Sequence, residues 1–249
     1  PDTTSQADLP ARRPATPKRI GIVIFERCQI IDATGPAAVF GSANEVHLAA
    51  GGSGPLYDLR LIASRSGPVR TSIHLFADST LQDAVTPFDT LICAGGKGSL
   101  RFMEDHDAIA DIHRLTKSTR RVVSVCTGAY ILAAAGLLDG RRAVTHWAHC
   151  RNLADLFPRV RVDPDPIFVK DGNVYTSAGV TAGMDLALAL LEEDHGKALA
   201  LKVAREMVMF MKRPGSQAQF SRQLSAQMAP RGNIRDLQLW LLDRLAEDI

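Results

Sequence analysis

Residues 18–25, KRIGIVIF, form a short aliphatic and β-branched run without polar alternation, which predicts a strand buried on both faces. After the turn residues ERCQ, the segment 31–50 places apolar residues at helical spacing, with Pro36 tolerated near a helix start. Two more strands are predicted at 57–63 (YDLRLIA) and 89–96 (DTLICAGG), the second ending in glycines. The amphipathic stretch 108–120 predicts a helix that leads into a strand at 121–126, RVVSVC. GAYILAAAG, at 128–136, predicts a helix because alanine and leucine favour it and Gly136 can close it. RRAVTH (141–146) is expected as a strand and WAHCRNLADLF (147–157) as a helix. In PIFVKDGNVYTSAG (166–179), Asp171-Gly172 supplies a tight turn between two β-rich arms, a hairpin. Helices at 181–196 and 197–211 follow.

Strands alternating with helices predict an α/β domain with a mostly parallel sheet covered on both faces, spanning 18–212. Residues 1–17 are proline-rich and are expected to be a disordered lead-in. Residues 214–233 are rich in glutamine and poor in apolar side chains, so 213–249 is expected to hold a linker and then a helix. That helix would carry Ile234, Leu237, Leu241 and Leu245 along one stripe, which needs something to cover it.

Composition narrows the field only a little. Of 249 residues, 46% are hydrophobic and 22% charged, which excludes wholesale disorder. The net charge of +2 comes with no long basic block, which argues against direct DNA contact by this stretch. The apolar run AYILAAAGLL is too short to span a bilayer, and the first residues lack the apolar core of a signal peptide. Cys28, Cys93, Cys126 and Cys150 form no CxxC pair, so reduced thiols and a cytoplasmic location are expected.

The strand that runs into Cys126-Thr127-Gly128 and then a helix has the layout of a nucleophile elbow, in which a tight turn lifts the thiol above the carboxyl edge of a sheet. The following helix N-terminus would favour a thiolate, and the amides of Gly95 and Gly96 would offer an oxyanion cradle beside it. A structural, buried cysteine fits the spacing equally well. His146 and His149 in HWAHC stand three apart, but no second cluster at metal-site spacing accompanies them. No metal is expected; His146 is assigned to a pocket and His149 to the surface. GGKGS (95–99) lacks the full phosphate-loop pattern, so no nucleotide cofactor is expected. Trp147 is read as an anchor for its helix. Asp32 could cap the helix expected to start near Thr34, or face the pocket.

Three separated segments, IDATGPAAVFGSANE, VSVCTGAYILAAAGLLDGRRAVTHW and TSAGVTAGMDLALALLE, resemble the PfpI/ThiJ group of class I glutamine-amidotransferase-like proteins over most of 18–212. The resemblance implies a flavodoxin-like three-layer sandwich with the functional cysteine, Cys126, at the elbow. It also implies Asp32 close to the thiol and His146 nearby. Thr127 stands where PfpI-type peptidases have histidine, and His195 is followed by Gly196-Lys197 instead of the His-x-Glu of amidotransferases. The form CTGA…LLDG…THW is shared by isonitrile hydratases and by sensor domains of GlxA-like regulators of the AraC/XylS family. Segment 205–249 resembles the stretch joining such a sensor to its helix-turn-helix domain. The expectation is a ligand-sensing domain with Asp32, Gly95, Gly96, Cys126, Thr127 and His146 around a small-molecule effector. It would act as a homodimer, with DNA bound only through a further C-terminal domain. The rival is a hydratase-like lyase with Cys126 as nucleophile and Asp32 as acid/base, and a third reading is a redox-sensing thiol.

Overall fold

The computed structural model describes residues 16–80 and 87–211. The expected lead-in, the linker and the stripe from Ile234 to Leu245 lie, but for residues 16 and 17, outside the described residues. From the first strand the chain runs β1 (Lys18–Val23), α1 (Ile30–Ala49), β2 (Tyr57–Ile62), β3 (Gly67–Arg70), β4 (Phe76–Ser79) and β5 (Thr90–Cys93). Next come α2 (Ser99–Phe102), α3 (His106–Thr116), β6 (Arg121–Val125), α4 (Gly128–Ala134), β7 (Arg142–Ala143) and α5 (Cys150–Leu156). The series ends with β8 (Arg161–Val162), β9 (Phe168–Asp171), β10 (Val174–Ser177), α6 (Ala182–His195) and α7 (Lys197–Glu206).

Six strands form the central sheet in the order β2-β1-β5-β6-β10-β9, parallel except for β9 at the edge. β5 and β6 are buried along their whole length, as apolar strands covered from both sides must be. On one face α1 packs against α6 and α7, and on the other α4 contacts α2 and α3. This is the flavodoxin-like sandwich. β1 has β2 on one side and β5 on the other, so the chain changes direction there.

Three local expectations need correction. The strand expected at 141–146 shrinks to Arg142–Ala143, because Val144 donates its N–H to the Thr176 hydroxyl at 2.8 Å instead of continuing a ladder. The helix expected from Trp147 begins as a 3-10 turn over Trp147–His149, and Trp147 is 56% exposed, so it anchors nothing. α1 starts at Ile30, upstream of Thr34, and Asp32 sits inside its first turn without capping it. The short antiparallel pair β3–β4 was not expected.

Candidate functional site

β6 ends at Val125, and the chain turns at once into α4. The turn is made by Cys126 itself, whose φ of 56° lies in the left-handed region that a side chain with a Cβ adopts only under constraint. Neighbouring backbone supplies that constraint. The Cys126 N–H donates to Ser177 O at 3.0 Å, and its carbonyl accepts from the Thr145 hydroxyl at 2.8 Å. Two glycines leave the room. A Cβ on Gly128 would lie 2.2 Å from Cys93 O, and one on Gly179 would lie 2.6 Å from the Cys126 Cβ. The elbow read from the sequence is therefore present.

Its electrostatics differ from the expectation. Cys126 is only 8% exposed, and burial, followed by the charge of Asp32, pushes its thiol up to about 12. Hydrogen bonding from the Thr127 N–H and hydroxyl pulls the other way without overcoming this. A helix start that should favour a thiolate is thus outweighed by desolvation and a neighbouring carboxylate. Asp32 is fully buried, and burial raises its carboxyl to about 6. Backbone N–H groups of Val180 (3.0 Å) and Gly95 (3.2 Å), together with the Cys126 thiol, donate to it and limit the rise. Val180 reaches this position through a left-handed φ of 51°.

The expected oxyanion cradle is absent in the form proposed. The Gly95 N–H is spent on Asp32, and the Gly96 N–H donates to the Thr127 hydroxyl oxygen at 2.8 Å. Both glycines serve the interior of the site. A Cβ on Gly95 would stand 2.6 Å from the Thr127 nitrogen and 2.8 Å from Asp32 Oδ2, so only glycine lets these loops meet.

Above the thiol lies a cleft of about 310 Å³. Of the six residues expected around a ligand, Gly96, Cys126, Thr127 and His146 line it, while Asp32 and Gly95 lie beneath its floor. His146 Nδ1 accepts the Ala148 N–H at 3.3 Å, which leaves Nε2 to carry the ring proton. Burial and then the adjacent His149 hold the His146 ring below its usual pKa, which favours the neutral ring. Contrary to the surface assignment, His149 also lines the cleft, its ring centroid 5.8 Å from that of His146. The three-residue spacing that suggested a metal was the signal for this pairing. Among the described residues no group of three or more His, Cys, Asp or Glu could hold a metal ion.

Sequence reasoning missed Gln29, Ser72 and Tyr130 on the cleft wall, and Ser99, whose hydroxyl lies 3.0 Å from that of Thr127. Ser99 could have been suspected from its place after the glycine run. Ser72 had no signal, because it belongs to the unpredicted β3–β4 connection.

The family model described as the DJ-1/PfpI family matches residues 18–193. Isonitrile hydratase of Pseudomonas putida is 37% identical over 178 residues, covering 70% of this chain and 71% of that protein. The transcriptional regulator CdhR of Pseudomonas aeruginosa is 33% identical over 162 residues, covering 64% of this chain but only 47% of the regulator. The chain thus spans about half the length of that regulator. A crystal structure of a ThiJ/PfpI family protein from Pseudomonas syringae superposes with a TM-score of 0.68 at 26% identity, covering 80% of this chain and 78% of that one. With the elbow, the sheet order and this match extending across the described core, the chain belongs to the DJ-1/PfpI family.

Proposed function

We propose that this domain is the ligand-sensing part of an AraC-type transcriptional regulator. A small polar metabolite would occupy the cleft above Cys126, and occupancy would bias a DNA-binding domain carried elsewhere in the full-length protein. The observation that carries this reading is the state of the site's chemistry. The thiol stays protonated at neutral pH, and both glycine amides that could stabilise an oxyanion are already used. Such a site is better suited to holding a ligand than to attacking one. Gly96, Cys126, Thr127 and His146 would touch the ligand, while Asp32 and Gly95 would set the thiol from behind. The similarity to CdhR supports the class.

In this reading the ligand acts through its different affinity for two states of the protein. DNA contact belongs to the further domain, and a cytoplasmic homodimer would match paired half-sites. The effector is bound without cofactor or metal. Calorimetric screening of small metabolites tests the reading: a ligand should bind without turnover, and Cys126→Ser should change its affinity only modestly. In a gel-shift assay, residues 1–249 should bind duplex DNA weakly and lose it at moderate salt. Salt-resistant, site-specific binding by this chain alone would contradict the reading.

The Asp32–Cys126 pair and the 37% identity to isonitrile hydratase favour a second reading, a lyase that hydrates a small isonitrile. Asp32, with its carboxyl near 6, would accept the thiol proton as sulfur bonds to the isonitrile carbon. Isonitrile hydration by the wild-type protein, abolished in both Cys126→Ser and Asp32→Asn, would establish this lyase and displace the sensor.

A further inference from the structure

A second cleft, larger than the one above the thiol, lies elsewhere in the molecule. It has a volume of about 710 Å³ and is lined by segments that follow β1 (Glu26, Arg27), β2 (Arg65, Val69) and β5 (Lys97, Arg101). It therefore opens at the carboxyl ends of these strands, the side on which open α/β sheets take ligands. A wall of backbone separates it from the thiol cleft. Cys28 and Gly96 form an antiparallel bridge, Gly98 donates its N–H to Arg27 O at 3.3 Å, and a Cβ on Gly98 would lie 2.0 Å from Glu26 O. Lys97, at the crest of this wall, lines both clefts.

The charge of this cleft is uneven. Arg27, Arg65, Lys97 and Arg101 face it with two carboxylates, Glu26 and Asp105, leaving a surplus of two positive charges (four less two). Asp105 is already engaged, since its side chain accepts the Ala108 N–H at the start of α3. Among the described residues no carboxylate lies within ion-pair distance of any of the four cations. Arg27 is also held at a left-handed φ of 62°, its N–H tied to Arg70 O at 2.7 Å. Beneath the cations Phe102 stacks on Phe25 with ring centroids 4.8 Å apart, and Pro68 and Val69 add apolar surface. A cationic rim over an apolar floor, in a concavity of small-molecule size, is built for an anion with an apolar body.

From this geometry we infer that the cleft binds an organic phosphate monoester, at a site separate from the Cys126 cleft. Three arginines present planar forks that match phosphate oxygens, and a surplus of two charges suits a dianion better than a monocarboxylate. The inference stands whether the thiol cleft is a sensor or a lyase site.

Phenyl phosphate is a suitable probe, titrated calorimetrically and by amide shifts in the isotope-labelled protein. Saturable binding is expected, weaker for inorganic phosphate and weakened by salt. Shifts should centre on 24–27, 63–69 and 97–105. Arg65→Ala and Arg101→Ala should each weaken binding by about tenfold or more, the size of a lost charge-assisted hydrogen bond. Arg101→Lys, which keeps the charge and loses the fork, should fall between, and Arg159→Ala on the far side should change nothing. Binding that fails to saturate, that ignores both alanine variants, or that shifts Cys126 and His146 most would overturn the inference. So would displacement of phenyl phosphate by duplex DNA, which would assign the cations to nucleic acid.

Discussion

The two edges of the central sheet each bury an aspartate, and they treat it in opposite ways. At the amino edge, Asp194 near the end of α6 accepts from the buried guanidinium of Arg121, from Arg120 at 2.8 Å and from the Tyr57 hydroxyl at 3.0 Å. Burial pushes its carboxyl upward, but the Arg121 charge and hydrogen bond outweigh this and hold it below the ordinary carboxylate range. Arg121 spends its remaining Nε–H on the Thr90 hydroxyl at 2.8 Å. At the carboxyl edge Asp32 meets no such cation among the described residues; two backbone amides and a thiol donate to it, and its carboxyl rises to about 6. Nearby, the buried hydroxyls of Ser124 and Ser177 have no hydrogen-bond partner among the described residues. One edge saturates its charges and fixes the fold. The other leaves an acid that titrates near neutrality beside a strained thiol, the arrangement expected where a site is kept responsive.

The comparison breaks most visibly at the amino edge. Arg121→Ala strands Asp194 in the interior and should cost about 3–5 kcal/mol in denaturant unfolding, with Arg121→Lys recovering only part of it. A loss of a few tenths would mean that the network is ornamental.

The pH dependence of stability should separate the two aspartates. Asp32, with a raised folded pKa, contributes stability that is present below the ordinary carboxylate range and lost as pH climbs through about 6. The loss is about 3 kcal/mol. Asp194, with a depressed pKa, works the other way and loses its contribution as the solution is acidified. Wild-type stability should therefore peak in mildly acid solution, and Asp32→Asn should flatten the alkaline side. An unchanged profile in that variant would place the titration elsewhere.

Gly179→Ala sharpens the geometry of the carboxyl edge. Its φ of 120° and the 2.6 Å approach to Cys126 predict a loss of roughly 1–3 kcal/mol and a displaced thiol. Thermal unfolding together with thiol titration under native conditions reads both.

Reactivity gives the smallest effect. Wild-type Cys126 should alkylate slowly at pH 7, with its rate still climbing past pH 9. Removing the Asp32 charge should lower the midpoint, each unit of decrease raising the neutral-pH rate by about tenfold. Peptide mapping after brief iodoacetamide exposure checks this, and rapid labelling of the wild-type thiol at pH 7 would contradict it.

These regions were not equally legible in the sequence. β1, β5 and β6 were visible because a strand covered on both faces carries a run of aliphatic and β-branched residues, and the elbow because strand, cysteine, glycine and helix abut. Strands β3 and β4, four residues each and partly exposed, carry no such run and went unseen. The roles of Gly95 and Gly96 were misassigned because spacing places an amide near the thiol but says nothing about its direction. Nothing in the sequence marked Arg121; its partner Asp194 lies 73 residues away, and only the folded topology joins them.

The course of α6 gives this contrast a mechanical meaning. Its head follows directly on Val180, whose amide is tied to Asp32, and its tail holds Asp194, clamped to Arg121 at the opposite edge. Fourteen helical residues make a rod of about 21 Å. The helix therefore ties the titrating end of the molecule to its clamped end, with α1 and α7 packed along it between the two. Gly196, at φ 83°, follows that clamp directly and launches α7, so the fixed end of the rod also sets where the next helix begins.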